Sequence, residues 1–331
     1  MPKKTLKIAM IGCGGNARGH MSRLLKIDGV KIVGLCDTAE TAIQAAQALD
    51  ASLAQAPVFT DYKKMLKAVA CDAVEISTPH TQHFDQIMAS LNAGRHVLCE
   101  KPMVCSVAHA KKVIAKTKKT GLTVGVSYQR HTLPPYRYCR KLIAEGALGK
   151  VNFISALQSQ NWYRGRMARR DWRGQMALSG GGQLNDSGSH LLDILLWMTN
   201  LQPAEVFAYQ DKLEAEVDIL TGMSVRFDGG AICNISVVGH AVNFMEDITI
   251  WGEDATLAIR GNEVWRWSDE TRVVVPESEL EPASDPDSNF IAALRGKGAV
   301  QATPQDFLKV IQLSEAAWAS ADSGRPAPVT R

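Results

Sequence analysis

The sequence contains no CxxC pair, no excess of charge of one sign and few aromatic residues (6%). It also lacks any uninterrupted apolar run of the roughly 18 residues that a membrane-spanning helix needs. Its 331 residues carry 37 Lys and Arg against 34 Asp and Glu, a formal charge of +3. That balance argues against a general nucleic-acid or membrane-surface binder, which needs a marked basic excess. Seven scattered cysteines (Cys13, Cys36, Cys71, Cys99, Cys105, Cys139 and Cys233) sit mostly in apolar, strand-like segments. An odd count without paired spacing indicates neither a zinc ribbon nor a disulfide framework, and points to reduced thiols in a cytoplasmic protein. The start, Met1-Pro2-Lys3-Lys4-Thr5, has charge, but only a short apolar stretch follows before Gly12, with no small-residue cleavage site, so it reads as a first strand rather than a signal peptide.

Apolar residues make up 46% of the chain and run throughout it, which excludes intrinsic disorder. At roughly 100–200 residues per domain, the length suggests two domains. Over residues 1–125, short apolar runs (Leu6–Ile11, Val30–Cys36, Ala73–Ser77, Val97–Cys99, Thr123–Val126) alternate with helical patterns (Thr38–Leu49, Asp61–Val69, His83–Ala93, Ser106–Lys118). Strands that are apolar throughout and separated by helices predict a parallel sheet covered on both faces, a doubly wound α/β domain.

Residues 126–331 read differently. A helix at Pro135–Glu145 precedes a long strand, Val151–Gln160, and Gly180-Gly181-Gly182 leads to an apolar helix, Asp186–Met198. From Glu205 to Ser268, turn signals at Asp228-Gly229-Gly230, Gly252-Glu253-Asp254 and Gly261-Asn262 punctuate successive strands. The expectation is a second α/β domain with a mostly antiparallel sheet. Thr303-Pro304 opens a last helix, about residues 304–320, a candidate to pack back on the first domain.

Gly12-Cys13-Gly14-Gly15-Asn16-Ala17 follows the first strand and opens a helix. It reads G-x-G-x-x-A: Gly12 allows a tight turn, Gly14 lets backbone N–H groups approach a pyrophosphate, and Ala17 permits close helix–strand packing. Asp37 ends the second strand 20 residues beyond Ala17, where a carboxylate accepts hydrogen bonds from the adenosine ribose. Its charge would repel a 2′-phosphate, and no arginine follows at 38–41, so NAD is favoured over NADP. Two more segments belong at the ligand-binding crevice of such a sheet: Ser77-Thr78-Pro79-His80-Thr81-Gln82-His83 and Glu100-Lys101-Pro102.

Together with Gly146-Ala147-Leu148-Gly149-Lys150-Val151 and Asp186-x-x-x-His190, these motifs make the whole chain resemble the Gfo/Idh/MocA family of NAD(P)-dependent oxidoreductases. The resemblance implies a Rossmann domain plus an α/β domain with an open sheet, and homodimers or homotetramers joined through those sheets. It implies His190 as the acid/base, with Lys101 and Asp186 at the reacting hydroxyl. Chemistry agrees, since hydride leaving a secondary alcohol requires a proton acceptor, and an ammonium stabilises developing oxyanion charge. The expected cofactor contacts are Gly12, Gly14, Gly15, Asn16, Ala17, Asp37, Ser77, Thr78, Pro79, His80, His83, Glu100 and Lys101.

Tyr128, Arg130 and Tyr136 are candidates to line the substrate cleft, with domain-junction packing as the alternative. Trp162, Tyr163, Arg164, Arg166, Arg169, Arg170, Trp172 and Arg173 form a basic, aromatic loop suited to sugar rings and hydroxyls, or to a subunit contact. Asp193 is expected to support rather than react, and metal ligation by Asp186, His190 and Asp193, or by His80 and His83, is the less favoured reading. The overall expectation is hydride transfer to or from a sugar, cyclitol or glycoside. Alternatives are redox-neutral elimination, epimerisation or glycoside cleavage through transient oxidation by held NAD, and a non-catalytic NAD-binding regulator.

Overall fold

The computed structural model describes residues 5–167, 171–269 and 271–330. They form two compact units. One runs to Val104 and adds Ala108–Tyr128 and Ser284–Pro304; the other holds Cys105–Val107, Gln129–Ala283 and the chain from Gln305 onward.

The first unit is built on six parallel strands: β1 (Leu6–Ile11), β2 (Val30–Cys36), β3 (Val58–Phe59), β4 (Ala73–Ile76), β5 (His96–Cys99) and β6 (Val124–Val126). Their order is β3-β2-β1-β4-β5-β6. The chain reverses direction across the sheet between β1 and β4, and ligands bind beyond the strand ends at such a reversal. Ile8 and Met10 of β1 pack in a core with Met21 and Leu24 of the first helix, Gly15–Leu24. Phe290 and Ile291 belong to the same core, so the segment Ser284–Pro304 joins this unit rather than the second. Its helix, Pro286–Leu294, is capped by Asp285, which accepts from the Ser288 N–H at 2.9 Å. Asp61 does the same for Tyr62–Ala68, accepting from the Lys63 N–H at 2.7 Å. Such caps satisfy N–H groups that have no partner within the helix.

The second unit carries nine strands: β7 (Val151–Asn161), β8 (Pro203–Asp211), β9 (Leu220–Phe227), β10 (Ile232–Val238), β11 (His240–Gly252), β12 (Ala255–Arg260), β13 (Glu263–Ser268), β14 (Thr271–Val274) and β15 (Ala327–Pro328). In the order β14-β13-β12-β11-β7-β10-β9-β8-β15, only β7 and β10 pair in parallel. On the covered face, Ile154, Ala156, Val225, Ile235, Ile248 and Ile250 meet the helix Gly188–Thr199, which is buried on almost every side. Val310, Leu313, Ala316 and Ala317 of the last helix, Pro304–Ser323, pack in this same core, so that helix serves the second unit. The stretch after β7, read as a loop, begins with a short helix, Trp162–Met167; Arg169 and Arg170 lie outside the described residues. None of the seven cysteines is paired, and six are buried. Among the described residues no helix is long and apolar enough to cross a membrane.

Candidate active site

In the first unit the site grows out of strand ends. Gly12 has φ +103°, and a Cβ there would lie 2.3 Å from the Ser77 carbonyl oxygen. The turn after β1 therefore lies directly on the end of β4, and only glycine fits. Gly14 and Gly15 differ: a Cβ at either would meet no protein atom within 4 Å. The protein's own packing does not require those two glycines, but a ligand approaching the backbone would. They open the helix Gly15–Leu24, whose N-cap makes no side-chain hydrogen bond and whose first turn carries no acid, a helix start compatible with an anion. Ala17, fully buried, packs that helix on the sheet, while Asn16 is exposed beside the open turn.

Asp37 closes the other side of the turn. Its Oδ2 accepts the Cys13 N–H at 2.7 Å and its Oδ1 accepts the Ala39 N–H at 2.9 Å. A carboxylate has about four lone-pair positions, so capacity remains for hydroxyls. These residues fit a dinucleotide: a bare glycine turn, a helix N-terminus and a fixed acceptor.

Beyond β4, Ser77, Thr78 and Pro79 are half-buried and His80 is buried. Thr78 Oγ1 donates to Gln86 Oε1 at 2.6 Å. His83 is fully enclosed, its ring nitrogens each 2.9 Å from a carbonyl, Nδ1 from Pro102 and Nε2 from Thr78. Burial pushes its pKa below the ordinary range, and a neutral ring carries one N–H to share between them. His83 thus ties the loop after β4 to the turn after β5, and neither nitrogen is open to a metal. Lys101 precedes Pro102 through a cis peptide bond and is 9% exposed. Glu100 Oε2 accepts the Lys101 N–H at 3.1 Å.

In the second unit the site consists of side chains holding one another. Asp186 lies in the turn that leads into the helix rather than on it, since the regular helix starts at Gly188. Trp162 is buried and its Nε1–H donates to Asp186 Oδ2 at 2.8 Å. Arg173 Nε lies 3.3 Å from the same oxygen, its guanidinium stacks over Trp172 at 4.3 Å, and its NH1 is 3.5 Å from Asp171. Asp186 is therefore held by the Trp162 indole and the Arg173 guanidinium, residues for which a sugar contact or a subunit contact is the expectation. His190 follows, 9% exposed, in the first turn of the helix. Asp193, one turn further along the same helix, places Oδ2 2.8 Å from His131 Nε2.

The glycine run before Asp186 has a steric cause. A Cβ at Gly182 would fall 2.0 Å from the Asp218 carbonyl oxygen, and Gly180 has φ +65°. Asp218 then accepts from the N–H groups of Gly182 (3.0 Å) and Leu184 (2.8 Å), fixing the turn. Only its position as a lone acid between Val217 and Ile219 hinted at this.

Arg130 and Tyr136 have other partners than a substrate. Arg130 Nε donates to Glu246 Oε1 at 2.8 Å and its NH2 to Oε2 at 2.5 Å; the Tyr136 hydroxyl donates to Oε1 at 2.7 Å, and Gln158 Nε2 to Oε2 at 2.9 Å. Glu246 accepts four bonds and makes Arg130 a pin between the segment after β6 and β11. Tyr128 is buried in the first unit. Tyr163 packs against Trp162, Val217 and Ile219 and lies 5.2 Å from the His240 ring, while the exposed Arg164 donates through Nε to His240 Nε2 at 3.1 Å.

Comparison with known proteins agrees with this architecture. Residues 6–128 match the description "Oxidoreductase family, NAD-binding Rossmann fold" and residues 136–258 the "GFO/IDH/MocA C-terminal domain". The chain is 29% identical over 235 residues to a 4-carboxy-2-hydroxymuconate-6-semialdehyde dehydrogenase of Sphingobium, covering 70% of this chain and 71% of that one. It is 28% identical over 201 residues to a D-glucoside 3-dehydrogenase of Escherichia coli, covering 60% of this chain and 55% of the relative, so it spans little more than half of that protein. The crystal structure of the WlbA dehydrogenase from Bordetella pertussis, in complex with NADH and UDP-GlcNAcA, superposes with a TM-score of 0.84 at 25% identity, covering 99% of this chain and 100% of that one. With both halves matched in order and the whole fold shared, the chain belongs to the Gfo/Idh/MocA family of NAD-binding oxidoreductases.

Proposed function

We propose that this protein is an NAD-dependent dehydrogenase or reductase acting on a secondary hydroxyl or ketone of a sugar, cyclitol or glycoside. The observation that carries the reading is the glycine turn, where Gly14 and Gly15 leave bare backbone beside a fixed Asp37 carboxylate. Nicotinamide, when bound, supplies the hydride chemistry. His190 takes the hydroxyl proton on oxidation and returns it on reduction. The Lys101 ammonium donates to the reacting oxygen, and Asp186, held by Trp162 and Arg173, accepts from the substrate and orients it. Asp37 selects NAD over NADP by accepting from the ribose and repelling a 2′-phosphate. A screen following NADH absorbance over cyclitols, aldoses, uronates and glycosides tests the reading. Turnover of none of these classes, by a protein that binds NAD, would turn it toward a sensor.

The same reading includes self-association through the second unit's sheet. Its uncovered face holds Leu157, Trp251, Trp267 and the Asp247–Arg260 ion pair (3.0 Å) around a hollow of about 540 Å³. Apolar and aromatic surface of this kind marks association sites. Light scattering of the protein and of Trp251→Glu tests it: a dimer or tetramer that the substitution dissociates supports the interface, and a monomeric parent overturns it.

A further inference from the structure

Beneath the Glu100-Lys101 turn, the first unit buries a cluster of ionisable groups that the proposed chemistry does not use. His20, on the helix that opens at the glycine turn, is 1% exposed. Its Nδ1 lies 2.8 Å from Asp287 Oδ1 and its Nε2 lies 3.0 Å from Glu100 Oε1. Both partners are carboxyl oxygens, which accept and carry charge when ionised, so an imidazolium with its two N–H groups satisfies both at once. A third carboxyl, Glu75 in the middle of β4, places Oε1 3.6 Å from His20 Nε2 and accepts the Ser77 hydroxyl on that oxygen at 2.5 Å. Its Oε2 is buried with no hydrogen-bond partner among the described residues. The other charged groups around His20 are Arg23 from its own helix, 2.5 Å from Asp287 Oδ2, Asp285 beyond Arg23 at 3.8 Å, and Lys101 beside Glu100. The Ser127 hydroxyl completes the shell, 3.4 Å from Nε2.

The charges balance with Glu75 neutral. Imidazolium and Arg23 guanidinium offset Asp287 and Glu100. Burial works against the His20 charge, yet the surrounding carboxylates outweigh it and hold its pKa well above the usual value. Burial likewise works against Glu100, but the His20 bond and charge, with Lys101, bring it down to about 2. For Glu75 burial wins and pushes the carboxyl up to about 8.

We propose that His20 is a positioning residue for Lys101: its imidazolium clamps the Glu100 carboxylate, whose second oxygen holds the Lys101 N–H, and Glu75 sets the alkaline limit of that clamp. This rests on the role given to Lys101 above. When Glu75 loses its proton, it competes with Glu100 for Nε2, the clamp loosens, and Lys101 loses its fixed seat. The sign is set by Glu75: the folded protein keeps a proton that an ordinary carboxyl sheds at lower pH, so the arrangement is intact below about pH 8 and fails above it.

The test starts with histidine-labelled protein free of cofactor and substrate, which separates this inference from the proposed reaction. Imidazole nitrogen shifts followed from about pH 6 to about pH 10 should show one ring, absent from His20→Gln, still doubly protonated well above the pH at which an ordinary imidazole loses its proton. A neutral His20 near pH 7 overturns the proposal whatever the substrate proves to be. In turnover, His20→Gln should lower kcat by tenfold or more while NAD affinity changes less than threefold; an unchanged kcat in a folded variant also overturns it. Glu75→Gln should raise the ratio of kcat/KM at about pH 9 to that at about pH 7 by at least threefold, and an unchanged ratio removes Glu75 from the device.

Discussion

The two units build their candidate sites in opposite ways. In the first, position comes from backbone: Gly12 against the Ser77 carbonyl, bare Gly14 and Gly15, and turns at the ends of β1, β2, β4 and β5. In the second, position comes from side chains holding side chains: Trp162 and Arg173 on Asp186, Asp218 on the glycine turn, Arg130 and Tyr136 on Glu246. Backbone-built sites are specified by a short local pattern, whereas side-chain-built sites need partners tens of residues apart. The contrast can be broken by changing each kind of support and asking which function fails.

The largest effect is expected at Lys101 and His190, the groups given the proton and oxyanion roles in the proposed reaction. Replacing Lys101 or His190 by Ala should lower kcat by about 10²–10⁴, the usual yield of a positioned acid/base or oxyanion donor, with NAD affinity nearly unchanged. Stopped-flow turnover and fluorescence titration of NADH check it; near-normal turnover in both variants would remove the assignment.

Next comes the pin at Glu246. Glu246→Gln leaves the Arg130 guanidinium buried without its anion, and breaking such a pair costs about 3–5 kcal/mol. Denaturant unfolding should show that loss. If Arg130 instead met substrate, Arg130→Met would raise KM with little change in stability.

A smaller effect sharpens the view of Asp186. Trp162→Phe keeps the buried ring and deletes only the N–H that reaches Oδ2 at 2.8 Å. Loss of a hydrogen bond to a charged group costs about 1.5–3 kcal/mol, so kcat/KM should fall roughly 10- to 100-fold with the fold intact. Arg173→Gln should act in the same direction, and the double variant should lose less than the sum, because the indole N–H and the guanidinium charge hold the same oxygen. Full additivity would mean that Arg173 works elsewhere.

The same contrast explains what the sequence discloses. The strands Leu6–Ile11 and Val30–Cys36 are legible to the residue, because an apolar run in a doubly wound sheet has a single reading. The two-residue strand Val58–Phe59 carries no such run and is not. Asp37, Lys101 and His83 are legible as candidates because their loops are punctuated by glycine or proline. His20 is not, since its partners Glu100 and Asp287 lie 80 and 267 residues away. Glu75 offered a sign, a lone carboxyl inside Ala73–Ile76, and Glu246 a weaker one within β11. Arg130 shows why an arginine just past the last strand of a domain misleads: its partner lies 116 residues on, and only the folded β11 brings it there.

The smallest effect concerns Asp37, where the local pattern is read most directly. Both of its oxygens already hold backbone N–H groups, from Cys13 at 2.7 Å and Ala39 at 2.9 Å. Asp37→Ala therefore releases the glycine turn itself and should weaken NAD and NADP together, by about tenfold for a lost charge-assisted bond of about 1.5 kcal/mol. That shared loss says nothing of the ribose. The informative quantity is the ratio of the two affinities: removing a carboxylate that repels a 2′-phosphate should improve NADP relative to NAD by a further several-fold, more at low salt than at high salt because the repulsion is screened. Titrating both nucleotides into wild type and Asp37→Ala at two ionic strengths separates the terms. A ratio that stays constant while both affinities fall would leave Asp37 as a brace of the turn, and the first unit's selectivity would have to come from elsewhere along β2.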